Sequence, residues 1–192
     1  MDKVQASRQV DWVFAYGSLI WNPEIDFDHA ELVRVHGFHR AFCIRSTHHR
    51  GTPDRPGVVL GLDRGGSCVG MAFRLRPETR AESIDLLYER EMQYSVYVPM
   101  LVGTSLTDGT RIRALTFVAN RANIAYQRLA EDEILRRMQC CAGQRGANVD
   151  YLLNTWHSLQ QRGVHDEMLA RLAQNVRLAA RATPSPASPI AV

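Results

Sequence analysis

Residues 13–21 read VFAYGSLIW. Trp12 to Tyr16 is apolar on both faces, the composition of an interior strand. The run then breaks at Tyr16-Gly17-Ser18, where a phenol, a glycine and a hydroxyl follow one another, and apolar residues resume at Leu19-Ile20-Trp21. A core strand that ends in a polar turn and returns at once to apolar packing fixes the turn at the strand's end. Glycine in such a turn lets backbone approach a ligand and tolerates positive φ. Converging N–H groups of a tight turn suit a carboxylate or an oxyanion. The alternative is an ordinary strand-ending turn.

Working outward, residues 35–46 and 57–63 read as strands separated by a polar loop, THHRGTPDRPG. Val69, Met71, Phe73 and Leu75 alternate with other residues, the period of a strand over 67–75. Two helix starts then compete: Pro77 in a first turn, or a capping box of Thr79 with Glu82. Residues 95–104 and 110–119 are two more strands, split by Asp108-Gly109. From about 130 the pattern is helical. One helix ends near Gly143, a second carries Leu152, Trp156 and Leu159 with Gly163 as its C-cap, and a third spans about 166–181. Residues 1–10 read as a loose lead-in. The eleven residues ATPSPASPIAV, 182–192, hold three prolines and no charge and are expected to be disordered. The expected fold is α+β, one domain over 1–181.

Composition removes several chemistries. The only lysine is Lys3, which argues against a Schiff-base or Walker-A lysine. There is no G-x-G-x-x-G and no H-E-x-x-H. Net charge is +3 with the basic residues dispersed, so no nucleic-acid stripe is present. No apolar run reaches the ~20 residues that cross a bilayer, and no apolar segment of a secretory signal occurs near the start. Cys43, Cys68, Cys140 and Cys141 form no C-x-x-C pair. They read as reduced thiols of a cytoplasmic protein. The sequence carries no signal of oligomeric state.

The helix expected from Pro77 to about Tyr94 holds one anomaly. Ile84, Leu87 and Tyr88 mark its core face, and the next position on that stripe is Glu91. One reading is a helix-end carboxylate that bends to water or pairs with Arg90 or Arg74. The other is a general base whose pKa burial raises toward neutrality. Ser18 is a weak candidate nucleophile because G-x-S-x-G is absent. His36 and His39 fall in a strand with Gly37 between them, an arrangement that separates their rings; His48 and His49 read as loop histidines. Arg45, Arg50 and Arg55 flank the polar loop, either solvated or facing a carboxylate.

The two features occur within a wider pattern. VFAYGSLIWNP resembles the opening signature of the ChaC-type γ-glutamylcyclotransferases. STHHRGTPDRPGVVLGLD resembles their second block, LYEREM followed by VYVP the third, and CAGQRGANVDYLLNT followed by LQQRGVHD the C-terminal one. The likeness spans about residues 12–170. It implies a compact mixed β-barrel with flanking helices, and release of the γ-glutamyl group of glutathione as 5-oxoproline with no metal or organic cofactor. It implies Glu91 as the base. It implies a substrate grip from Ala15, Tyr16, Gly17, Ser18 and Leu19, with Tyr97 and Tyr151 at the pocket. The sequence departs from the family pattern at Gln93-Tyr94-Ser95, where a small or glycine-containing segment is common. That departure bears on the leaving-group side. Two rivals stand beside this reading: a cyclotransferase for other γ-glutamyl amines or peptides, and a non-catalytic binding protein linked to cation transport.

Overall fold

The structure, a computed structural model, describes residues 10–182. The expectations for residues 1–9 and for the tail beyond Ala182 lie outside the described residues. Strand β1, Trp12–Ala15, is short and buried. Two long strands follow, β2 (Phe27–Ser46) and β3 (Gly57–Leu75), paired antiparallel along most of their length. Helix α1 (Arg80–Glu91), strands β4 (Tyr97–Ser105) and β5 (Arg111–Ala119) and helix α2 (Glu131–Cys140) come next. A two-residue pair, β6 (Ala142–Gly143) with β7 (Gly146–Ala147), leads to helices α3 (Asn148–Gln160) and α4 (Glu167–Ala182).

The five main strands lie in the order β2-β3-β1-β5-β4. β1 is antiparallel to β3, with Val13 opposite Phe73, and parallel to β5, with Val13 opposite Leu115. Beyond the end of β1, β3 and β5 meet directly at Leu62 and Val118. β1 is therefore a wedge: where it stops, the chain must leave the sheet, and the Tyr16–Leu19 turn emerges at that fork. The outer strands approach each other through Thr104, whose hydroxyl donates to the Arg34 carbonyl at 2.8 Å. The mixed sheet thus curls toward the expected barrel, with a side-chain bond where a continuous ladder would close it.

The three strands read over 35–75 are two in the structure. Gly37, Gly65 and Gly66 take positive φ at a register shift between His36 and Phe38. The glycines that look like a break make a bulge instead. It leaves both His36 and His39 exposed.

α1 forms as its stripe dictates, with Ile84 and Leu87 buried and Tyr88 edge-on to Phe117 at 5.6 Å. Thr79 precedes it, yet its hydroxyl donates to Asp26 at 3.0 Å rather than capping the helix, so the capping box does not form. α3 ends where expected: Gly163 has φ +73 and its N–H reaches the Gln160 carbonyl at 2.9 Å. Helix α3 packs beneath the β1 turn, where the indole N–H of Trp21 donates to Thr155 at 3.1 Å. One continuous core joins sheet and helices, from Val13 and Phe14 through Leu60 and Phe117 to Leu152 and Leu169.

Candidate active site

After Ala15 the chain turns at Tyr16-Gly17 into a single 3-10 turn, Ser18–Ile20, whose Leu19 and Ile20 return to the core. Ile20 N–H bonds the Gly17 carbonyl at 3.0 Å. The N–H groups of Ser18 and Leu19 start the turn and lie outside its own bonding. Gly17 has φ −131, so positive φ is not its reason for being glycine. Close approach is: a Cβ there would stand 3.1 Å from the Tyr151 hydroxyl.

The turn is held on several sides. The Tyr16 hydroxyl donates to the Phe117 carbonyl at 2.8 Å, and Arg90 donates to the Ser18 hydroxyl oxygen at 2.9 Å. Arg90 also donates to the Asn22 carbonyl at 2.8 Å and pairs with Glu24 at 2.6 Å. Arginine cannot take a proton at any working pH, so Arg90, the hydrogen-bond partner of the Ser18 hydroxyl, does not activate it as a nucleophile.

Glu91 is the last residue of α1, with a side chain 14% exposed and its Oε1 3.3 Å from Arg90 Nε. The carboxylate is thus inward and also has an arginine beside it, the Arg90 of the pairing reading. Arg74 is elsewhere, paired with Asp28 at 2.7 Å. Burial pushes the Glu91 carboxyl above the ordinary 4.5; Arg90 and Arg145 pull the other way and Glu24 adds to the rise.

Two tyrosines complete the inner wall. The Tyr97 hydroxyl donates to the Leu60 carbonyl at 2.8 Å, which uses its proton. The Tyr151 hydroxyl accepts the Leu60 N–H at 3.3 Å, and among the described residues its own proton has no acceptor. Burial holds the phenols of Tyr16, Tyr97 and Tyr151 in their neutral form by raising all three pKa values.

A small inner cavity of about 30 Å³ is lined by Tyr16 to Leu19, Glu91, Tyr97 and Tyr151 together with core residues Phe14, Leu60 and Phe117. It adjoins an outer cavity of about 670 Å³ that shares Ser18, Glu91, Tyr97 and Tyr151. The structure therefore brings together every residue singled out for the site except Ala15. That side chain is buried opposite Met71 and lines neither cavity.

The outer cavity adds residues that were not among those singled out for the site. Arg45, Arg50, Arg90 and Arg145 line it against two carboxylates, Glu24 and Glu91. Arg50 is 6% exposed, donates to the Ala147 carbonyl at 3.0 Å and lies over the Tyr151 ring at 5.6 Å. Burial lowers the pKa of His49, with nearby arginines and His48 adding to the effect. Arg55 does not line either cavity. The signal for Arg90 was its place next to Glu91; Arg145 arrives through the β6–β7 turn, which no periodicity announces.

At the far wall, Tyr94 and Ser95 take φ of 62° and 52°, the conformation that glycine accommodates most readily. Asn123 holds them by donating to both carbonyls, at 2.9 and 3.1 Å. Tyr94 stacks on His48, 5.0 Å between centroids, across the mouth of the cavity. The Gln93-Tyr94-Ser95 segment thus takes a glycine-like turn and places an aromatic ring against His48 at the outer cavity.

The ChaC-like protein family matches residues 11–179. The chain belongs to that family. It is 35% identical over 167 residues to the glutathione-specific gamma-glutamylcyclotransferase of Escherichia coli (strain K12), covering 86% of this chain and 72% of that one. It is 31% identical over 191 residues to the glutathione-specific gamma-glutamylcyclotransferase 1 of Mus musculus, covering 96% and 86%. The ChaC-like fold is also that of a solved yeast protein, a gamma-glutamyl cyclotransferase specific to glutathione. The TM-score there is 0.78 at 23% identity, over 87% of this chain and 95% of that one.

Proposed function

We propose that this ChaC-like chain is a glutathione-specific γ-glutamylcyclotransferase, a lyase that converts glutathione to 5-oxoproline and Cys-Gly. The observation that carries the reading is the inner cavity: a desolvated glutamate and the Tyr16–Leu19 turn face the same small space.

The nucleophile belongs to the substrate. The α-amine of the γ-glutamyl group attacks its own γ-carbonyl, and the protein's task is to fold that chain on itself. Holding amine and carbonyl in contact contributes on the order of several kcal/mol. Glu91 takes a proton from the α-ammonium, a role that a raised pKa suits. As the C–N bond forms, the carbonyl oxygen becomes an oxyanion. N–H groups of the turn and the free proton of Tyr151 donate to the negative oxygens of the γ-glutamyl group. Collapse breaks the bond to the cysteinyl nitrogen. The α-nitrogen loses two protons overall and the leaving nitrogen gains two, so one carboxylate shuttling between them closes the balance. Every group in this account belongs to the chain or the substrate.

The outer cavity suits Cys-Gly. Four arginines against two carboxylates leave a cationic wall for the glycyl carboxylate. A γ-glutamyl amine without that carboxylate would find no partner there, which favours glutathione over simple γ-glutamyl amines. The reading includes a small-molecule substrate as the only partner and a cytoplasmic setting, supported by four unpaired cysteines. Among the described residues no helix is long and apolar enough to cross a membrane.

The test is 5-oxoproline release by the purified protein from glutathione, its C-terminal amide, γ-glutamylcysteine and γ-glutamyl amines. Glutathione should be cleaved with the highest kcat/KM. Release from none of them would sink the enzymatic reading and leave a binding protein.

A further inference from the structure

Arg40 on β2 is 7% exposed and lines neither cavity, yet each of its three guanidinium nitrogens has a hydrogen-bond partner, one of them in the Tyr16–Leu19 turn. Its Nε donates to the Tyr16 carbonyl at 2.6 Å, and another guanidinium nitrogen donates to the Val69 carbonyl. The third pairs with Asp166 at 2.6 Å. Asp166 stands just before α4 and its second oxygen accepts the Leu169 N–H at 3.1 Å. This aspartate ends LQQRGVHD, the part of the C-terminal block that the reaction just described does not use.

The Tyr16 carbonyl shares a planar trans peptide with the Gly17 N–H, and the two groups point in opposite directions. Anchoring the carbonyl to Arg40 therefore aims the N–H away from the guanidinium, and Gly17 itself borders the inner cavity. Among the described residues that N–H has no acceptor. A cation on the carbonyl also polarises the peptide and strengthens the N–H as a donor.

We infer that Arg40, held by Asp166, is a positioning residue that orients the Tyr16–Gly17 peptide so that the Gly17 N–H donates to a negative oxygen of the γ-glutamyl group. The inference rests on the cyclotransferase reading for what the donor meets, and on the bonds to Arg40 for its direction. The charge of Asp166 is needed because a lone buried guanidinium between two carbonyls would be poorly compensated.

Two variants test it. Asp166→Asn keeps an oxygen for the Leu169 N–H, so α4 stays capped, but removes the charge that holds Arg40. Arg40→Lys keeps the charge and loses the planar fork that reaches both carbonyls. The Gly17 amide is followed by ¹⁵N NMR shift and hydrogen exchange, and kcat/KM is measured below each variant's own melting midpoint. In both, the Gly17 resonance should move and exchange faster, and kcat/KM per folded molecule should fall about tenfold or more. An unmoved Gly17 amide, or wild-type kcat/KM in the folded variants, would overturn the inference. A wild-type protein that releases no 5-oxoproline sinks the cyclotransferase reading instead, and the Gly17 amide then still decides whether Arg40 sets the peptide.

Discussion

Glu91 lies one turn past Leu87 and Tyr88, on the stripe of the helix that Ile84 and Leu87 bury in the core. Glu91→Gln keeps the shape and removes the carboxylate that the proposed mechanism uses as its base. Release of 5-oxoproline should drop about 10³-fold while glutathione still binds, as calorimetry would show. In the wild type the acid limb of kcat/KM should lie above the ordinary 4.5, because burial raises this carboxyl. The stability effect has the opposite sign to catalysis. With its folded pKa raised, Glu91 costs stability as pH rises from 4.5 through the folded value. Glu91→Gln should therefore melt higher than wild type at pH 7 and no higher at pH 4. Equal activity, or a lower midpoint at pH 7, would contradict the assignment.

Elements bring these side chains together, and the joints between elements are where the fold is most exposed to change. Asn148, fully buried at the start of α3, accepts the Val58 N–H and donates to the Val58 carbonyl, both at 2.8 Å. It ties that helix to the head of β3 and so holds Tyr151 against Leu60. Asn148→Ala leaves both backbone groups without partners and should cost about 3 kcal/mol, read as a lower midpoint in urea; an unchanged midpoint would show that the clamp is idle. Such joints were the least legible part of the sequence. The α1 stripe and the polar interruption at Tyr16-Gly17-Ser18 could be read because each is a local departure from a local period. The first part of β2, Phe27–Arg34, could not: only Val33 is buried there, so its pattern looks like a connection. Arg40 and Arg145 were illegible as site residues because their roles depend on partners contributed by other elements. The β6–β7 turn is too short to have a period, and at Gly143 a side chain would collide with the His48 backbone.

At the scale of the molecule, charge sets the acid limit. Glu133 is held down to about 2 by its bonds to Arg136 and then Arg137, and Asp63, Glu24 and Glu31 are lowered as well. Below 4.5 the unfolded chain takes up protons that these folded carboxylates refuse, so stability should decline as pH falls from 4.5 toward 2. Glu133→Gln should be less stable than wild type at pH 6 in guanidinium, with the difference vanishing near pH 2; a gap that persists there would rule this carboxylate out. A last consequence comes from β1, the wedge between β3 and β5. Its partners, Phe73 and Leu115, are made long after it during synthesis. The β2–β3 hairpin can pair locally, but β1 must wait for both neighbours, and non-local pairing is slow. The Tyr16–Leu19 turn is made before both of the strands that house it, so an incompletely folded chain carries the signature residues without the assembled cavity.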